Sequence, residues 1–438
     1  MTSNHPRALT WLLVALVAAC AAPSATPASS FPATGLPSPG QSAHATAIPS
    51  DGAIPSLATP GATPSETPVP TPAPTLPAGP IADALAPELI QALDDQLALY
   101  KIPGMTAEII FPDGSRWSGA TGFADLGREL EAMPGTTFVT GSITKTFVTA
   151  AVMQLRDEGI LSIADPLSDW LPDFPNAENI TLAQLLSHTS GVFNYFLHPE
   201  YNARVFNEPD HAWSPQEVLD EFVLEPRFPP GTGYHYSNTN FVLLGLVVEE
   251  ATGQSLGEVF RDRFFGPLEL DATFCQCDGP PPAGSARGYL VRPTGPVGLD
   301  DGTDYRPTKS AATVAFAAGD IVSTAGDLAD WVRSVYGGHL VEPESLALMT
   351  DFNYSSYARG TYGLGTRTRV FAGERMFGHT GSLRGYAAAM WQFPSTDLTI
   401  VVLTNRGRIE ANPIVDALAA IAMPVSEIFQ SQRSALLH

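Results

Sequence analysis

Ser142 and Lys145 stand three residues apart in the stretch Thr140-Gly141-Ser142-Ile143-Thr144-Lys145-Thr146-Phe147. On a helix, that spacing puts both side chains on one face of one turn. A serine hydroxyl is a poor nucleophile until a neighbouring base takes its proton. A lysine can be that base if burial or nearby cations lower its pKa. Arginine cannot, yet the chain uses arginine almost everywhere else: Lys101, Lys145 and Lys309 are its three lysines, beside twenty arginines. Taken alone, the pair equally fits a surface lysine on a first helical turn.

Two further stretches carry candidate chemistry. Gly231-Thr232-Gly233-Tyr234-His235-Tyr236-Ser237-Asn238-Thr239-Asn240 is a polar, glycine-rich loop leading into an apolar helix at Phe241. Tyr236 could act as a base only if cations such as Lys145 pulled its pKa down from about 10. The Asn238 amide can bond both a lysine and a substrate carbonyl. Gly378-His379-Thr380-Gly381-Ser382 could set hydroxyls, an imidazole and backbone N–H groups along a strand edge. A capping loop and an ordinary β-turn account for these two stretches equally well when each is read alone. No Gly-x-Ser-x-Gly elbow occurs.

The elements that must position these residues follow from periodicity. Leu85, Leu89, Leu93 and Leu97 mark an amphipathic helix. Residues 106–111 and 117–123, around Pro112-Asp113-Gly114, read as a β-hairpin. Phe147, Val148, Ala151, Val152 and Leu155 predict a buried helix starting at Ser142. Residues 161–302 read as mostly helical, most clearly at 181–186 and 241–251. Strands return at 366–371, 375–378, 386–393 and 398–403, and a helix over about 412–423 closes the domain. Strands at both ends with helices between imply an α+β domain over 81–438. Its antiparallel sheet is flanked by helices, an all-α subdomain is inserted at about 161–302, and the cleft between the two is the expected site.

The chain of 438 residues carries a formal charge of -22, with no run or stripe of Lys and Arg. That excludes an electrostatic footprint for nucleic acid. Arg7 and the apolar stretch 8–19 form a leader too short to span a bilayer. It ends Val17-Ala18-Ala19-Cys20, which resembles the lipobox of bacterial lipoprotein signals. The resemblance implies a signal peptide over 1–19, lipidation of Cys20, and an extracytoplasmic, membrane-anchored protein; the alternative is a secreted one. Residues 20–80 hold fifteen of the 40 prolines with almost no charge, a linker composition that cannot form a core. Nothing later reads as a transmembrane helix. Cys275 and Cys277 read as incidental loop residues, a Cys-x-Cys disulfide being the strained alternative, and no zinc site is expected.

Ser142-Ile-Thr-Lys145, Tyr236-Ser-Asn238 and His379-Thr-Gly381, in that order, resemble the three signature elements of the serine penicillin-recognising enzymes. The Tyr-x-Asn and His-Thr-Gly variant is similar to the serine D-alanyl-D-alanine carboxypeptidases of the class C β-lactamase-like group. The phrases Leu185-Leu-Ser-His-Thr-Ser-Gly191, Tyr236-Ser-Asn-Thr-Asn-Phe241 and Tyr362-Gly-Leu-Gly365 match as well, so the resemblance runs from about Pro80 to Met423.

It implies a β-lactamase/transpeptidase-like fold and the following roles. Ser142 is the acylated nucleophile and Lys145 assists its deprotonation. Tyr236 is the general base that returns a proton to the leaving amine, and Asn238 holds the substrate amide. The backbone N–H groups of Ser142 and Ser382 form the oxyanion hole, with His379, Thr380 and Gly381 lining the site. His379 replaces the lysine usual in class C β-lactamases, which tilts the expectation toward peptidase or esterase. Arg367 is placed to bind a substrate carboxylate, though one register step would substitute Arg369. The implied activity is a D-Ala-D-Ala carboxypeptidase acting on peptidoglycan stem peptides and acylated by β-lactams, without metal or organic cofactor. The alternatives are an esterase, a D-amino-acid amidase or a weak class C-like β-lactamase, and, further off, a non-catalytic wall-binding or lactam-sensing module.

Overall fold

The computed structural model describes residues 79–279, 281–290, 308–358 and 360–436. The leader, Cys20 and the linker expected over 20–80 therefore lie, all but its last two residues, outside the described residues.

The described residues open with helix α1 (Ile81–Tyr100) and the hairpin β1 (Gly104–Ile110) and β2 (Arg116–Asp125). The hairpin turn caps the helix: Ile81 N–H donates to Asp113 Oδ2 at 2.9 Å, satisfying one of the orphan amides of the first turn. Two short strands follow, β3 (Leu130–Glu131) and β4 (Phe138–Val139), and then α2 (Thr144–Asp157). The middle of the chain holds α3 (Leu182–Leu186), α4 (Tyr201–Asn207), α5 (Pro215–Phe222), α6 (Asn238–Thr252) and α7 (Leu256–Phe260). Thr181 and Gln184 form a capping box at α3. After β5 (Phe274–Cys275), α8 (Lys309–Thr313) and β6 (Ile321–Ser323) come α9 (Ala325–Tyr336) and α10 (Pro343–Met349). The strands β7 (Arg367–Phe371), β8 (Glu374–Leu383), β9 (Tyr386–Phe393) and β10 (Leu398–Thr404) precede the last helix, α11 (Asn412–Leu436).

One antiparallel sheet has the order β3-β2-β1-β10-β9-β8-β7. Both ends of the domain meet in it, because β1 pairs with β10 from Met105↔Thr404 to Ile110↔Thr399. Alternation sorts its side chains. Met105, Ala107, Ile109, Ala389, Trp391, Ile400 and Val402 pack under α1 and α11. Ala388, Met390, Val401 and Leu403 face the larger core that contains α2, α6 and α9. Asn405 ties the sheet's ends together: its Oδ1 accepts from Gly104 N–H at 2.7 Å and its Nδ2 donates to Phe123 O at 2.9 Å.

The expected α+β architecture is present, with differences in detail. The helical part is broken by the small sheet β4-β6-β5, so helix does not extend unbroken to residue 302, and residues 291–307 lie outside the described residues. α11 continues past residue 423 and through Pro424 to Leu436. The stretch 412–434 is long and apolar enough to cross a membrane, but Ile414, Val415, Leu418, Ala419 and Ala422 on its inner face cover the sheet. Cys275 is disulfide-bonded rather than incidental.

Candidate active site

Ser142 lies in a short 3-10 turn, Gly141–Ile143, that runs into α2. Gly141 has φ +56°, in the left-handed region that a side chain disfavours. The turn presses against β8. A Cβ on Gly381 would meet Thr140 O at 1.8 Å, and one on Gly141 would meet Ser382 N at 2.9 Å. Glycine is therefore required at Gly381 for the strand to approach the serine turn, and the backbone of Ser382 is brought beside Ser142. The third motif lies within β8, not in a turn before β9, and its residues follow Gly378, which pairs with Arg367 at the inner end of β7.

Lys145 is fully buried. Its Nζ donates to Asn238 Oδ1 at 2.9 Å and to Ala318 O at 2.6 Å, and lies 3.1 Å from Ser142 Oγ. Burial first, and the Arg367 cation second, hold its pKa well below the usual lysine value. A neutral amine has two N–H donors and one lone pair. The two protein acceptors take both donors, which turns the lone pair toward the Ser142 hydroxyl. The geometry is that of a base poised on a nucleophile.

Tyr236 stands across the cleft, its hydroxyl buried and without a hydrogen-bond partner of good geometry. Its ring lies 5.3 Å from Lys145 Nζ and 5.2 Å from the Arg367 guanidinium. Burial pushes its pKa up to about 12, outweighing the opposing pull of Arg367 and Ser142. This corrects the expectation of a phenol with a depressed pKa. In the resting site the tyrosine is a neutral O–H, and the lysine is the group whose pKa is lowered.

Asn238 begins α6, and its Nδ2 donates to Asn194 Oδ1 at 3.3 Å, which orients the amide with its oxygen on Lys145. Arg367 separates cleanly from Arg369. Arg369 lies over the Trp391 ring and pairs with Asp416 of α11 at 2.7 Å. Arg367 lines the cleft, its Nε has no hydrogen-bond partner, and among the described residues no carboxylate pairs with it. His379 is fully buried beneath the cleft, not open to it.

The cleft of about 320 Å³ is lined by Ser142, Tyr236, Asn238, Arg367, Thr380, Gly381 and Ser382. Phe196 and Glu410 also line it, and neither was singled out from sequence. Nor was Asn194, which carries no sequence signal of its own. A second pocket of about 320 Å³ shares Phe196, Ser382 and Leu383 with the cleft and adds Tyr201, Phe206 and Arg384. Among the described residues, no cluster of His, Cys, Asp or Glu is arranged to hold a metal ion.

A buried lysine one turn from a serine, a tyrosine opposite, and a glycine-bearing strand edge behind them define a serine hydrolase of the penicillin-recognising type. The chain belongs to the Beta-lactamase family, whose profile matches residues 89–422. It is 28% identical over 351 residues to a D-aminopeptidase of Cereibacter sphaeroides, covering 76% of this chain and 63% of the relative. It is 26% identical over 361 residues to Penicillin-binding protein 4 of Amycolatopsis lactamdurans, covering 75% of this chain and 89% of the relative. The chain spans less than two thirds of the length of several curated relatives it matches, the D-aminopeptidase among them. The crystal structure of a D-stereospecific amidohydrolase from Streptomyces sp. superposes with a TM-score of 0.65 at 28% identity, covering 77% of this chain and 98% of that one.

Proposed function

We propose that the chain cleaves short D-amino-acid peptides through a Ser142 acyl-enzyme, releasing a C-terminal D-amino acid, and that penicillins acylate the same serine. The observation that carries this reading is Arg367, a half-buried guanidinium that lines the serine cleft with no carboxylate partner among the described residues. A substrate's terminal carboxylate would complete it. Lys145 takes the Ser142 proton as Oγ attacks the carbonyl carbon. The backbone amides of Ser142 and Ser382 receive the oxyanion. Tyr236, protonated at rest, gives its proton to the leaving nitrogen as the C–N bond breaks and regains one from the Lys145 ammonium. Water then resolves the ester by the reverse relay.

A D-amino-acid amidase is the second reading, favoured by the similarity to the amidohydrolase and the D-aminopeptidase. Its amide substrates end in a neutral group and would leave Arg367 unused. The test compares release of D-alanine from an N-acyl-D-Ala-D-Ala peptide with hydrolysis of D-phenylalanine amide, while intact mass follows benzylpenicillin. Preference for the peptide and a persistent Ser142 adduct support the first reading. Preference for the amide supports the second. Equal activity in Ser142→Ala would sink both.

A further inference from the structure

Two phrases of the sequence, Leu185-Leu-Ser-His-Thr-Ser-Gly191 and Tyr362-Gly-Leu-Gly365, have no part in the relay above. They meet under the cleft. Tyr362 Oη lies 3.2 Å from His188 Nε2 and 3.2 Å from His379 Nε2. All three side chains are almost fully buried. The outer ends of this chain fix its protons. Ser237 N–H donates to His188 Nδ1 at 3.2 Å, so that nitrogen is bare and the proton sits on Nε2. His379 Nδ1 lies 2.6 Å from Thr380 O, which only accepts, so that nitrogen carries the proton and Nε2 is bare. Tyr362 must then accept from His188 and donate to His379.

We propose that His188, Tyr362 and His379 form a one-directional hydrogen-bond chain whose role is to position the two walls of the cleft. One end is Ser237, between Tyr236 and Asn238. The other is Thr380, between His379 and the strand edge at Gly381. The chain bolts the α6 loop to β8 at the spacing the relay needs, and it does so only while both imidazoles are neutral. A second proton on either ring breaks it. On His188 the proton would face the Ser237 N–H. On His379 it would leave the Tyr362 hydrogen without an acceptor.

The surroundings oppose that proton. The groups facing the pair are Lys145 from α2, Arg367 from β7, and His235, Tyr234 and Tyr236 from the loop before α6. Arg367 is cationic, and Lys145 and His235 become so when protonated; none of these groups is anionic near neutral pH. Burial first and these cations second hold both imidazoles well below the usual histidine range. His188 itself has φ +58°, a left-handed conformation that its Cβ disfavours and that the surrounding contacts hold in place.

The test has two arms on the full chain. Histidine-selective 15N NMR, with single His variants for assignment, reads the tautomers. The expected result is opposite tautomers, Nε2–H for His188 and Nδ1–H for His379, with neither ring titrating between about pH 5 and 8. The same tautomer in both, or a cationic ring near neutrality, overturns the proposal whatever the enzyme's substrate. In the second arm, Tyr362→Phe keeps the ring and removes the oxygen. The benzylpenicillin acylation rate should fall about 10–100-fold with little change in ligand affinity. Its acid limb should move up toward the ordinary imidazole value of about 6.5. A loss with no movement of that limb would mean packing alone and overturns the positioning role. This arm rests on the acyl-transfer reading of Ser142 and the NMR arm does not, so the two failures are distinguishable.

Discussion

Replacing Arg367 by Ala should separate two effects of one guanidinium. The first is binding. A hydrogen-bonded ion pair to a substrate carboxylate contributes about 1.5–3 kcal/mol, which is roughly a 10–150-fold loss in kcat/KM for a peptide ending in a free carboxylate. A neutral D-amino-acid amide has no such contact to lose. The second effect is electrostatic. Arg367 is the cation that adds to burial in lowering the Lys145 pKa and opposes the rise of Tyr236. Removing it raises the Lys145 pKa. Because Lys145 must be neutral to take the serine proton, the acid limb of kcat/KM should move to higher pH on every substrate. Arg367→Lys keeps the charge, so the limb should stay, while the bidentate geometry is lost. The assay is a pair of pH–rate profiles, one for N-acyl-D-Ala-D-Ala and one for D-phenylalanine amide, on wild type and both variants. An equal loss on the two substrates at the pH plateau would refute the carboxylate role. An unmoved limb in Arg367→Ala would refute the electrostatic one.

Three further outcomes follow from the structure. Gly381→Ala places a Cβ 1.8 Å from Thr140 O, so the strand edge must retreat from Ser142; benzylpenicillin acylation should fall about 100-fold, and a near-wild-type rate would contradict the placement of Ser382 at the oxyanion. Asn405→Ala strands the buried Gly104 N–H, and urea denaturation should show a loss of about 2–4 kcal/mol; a loss under about 1 kcal/mol would mean the β1–β10 seam holds without it. His188 and His379 have folded pKa values below their unfolded value near 6.5, so the unfolded chain binds more protons as pH falls through that value. Stability is therefore complete above about pH 6.5 and should decline below it by up to roughly 1.4 kcal/mol per pH unit per histidine; a flat urea midpoint from about pH 7 to 5.5 would exclude buried neutral histidines here.

The parts legible in the sequence are those that rest on local spacing. Ser142 and Lys145 share a turn because of helical periodicity, and β9 was readable to the residue from 386 to 393. The direction of the Tyr236 shift was not legible. It depends on burial among residues far away in the chain, Arg367 and Lys145 included. Arg367 and Arg369 are indistinguishable as text, and only the Asp416 pairing of one and the cleft position of the other separate them. The strands β4, β5 and β6, of two or three residues, are too short to carry a period. Pro424 reads as a stop signal, yet α11 runs through it because its inner face is buried on the sheet.

The seam between β1 and β10 also sets an order of events during synthesis. Met105 leaves the ribosome about 300 residues before its partner Thr404. At about 5–20 residues per second, that is roughly 15–60 s. Through that interval α1 can cover one face of the β1–β2 hairpin, but the edge of β1 that β10 takes stays unpaired, the condition under which strands recruit wrong partners. The sheet on which β8 lines the serine cannot close until Thr404 is made. A truncation before β10 would remove the strand that joins β1 to β9 and leave the sheet in two halves.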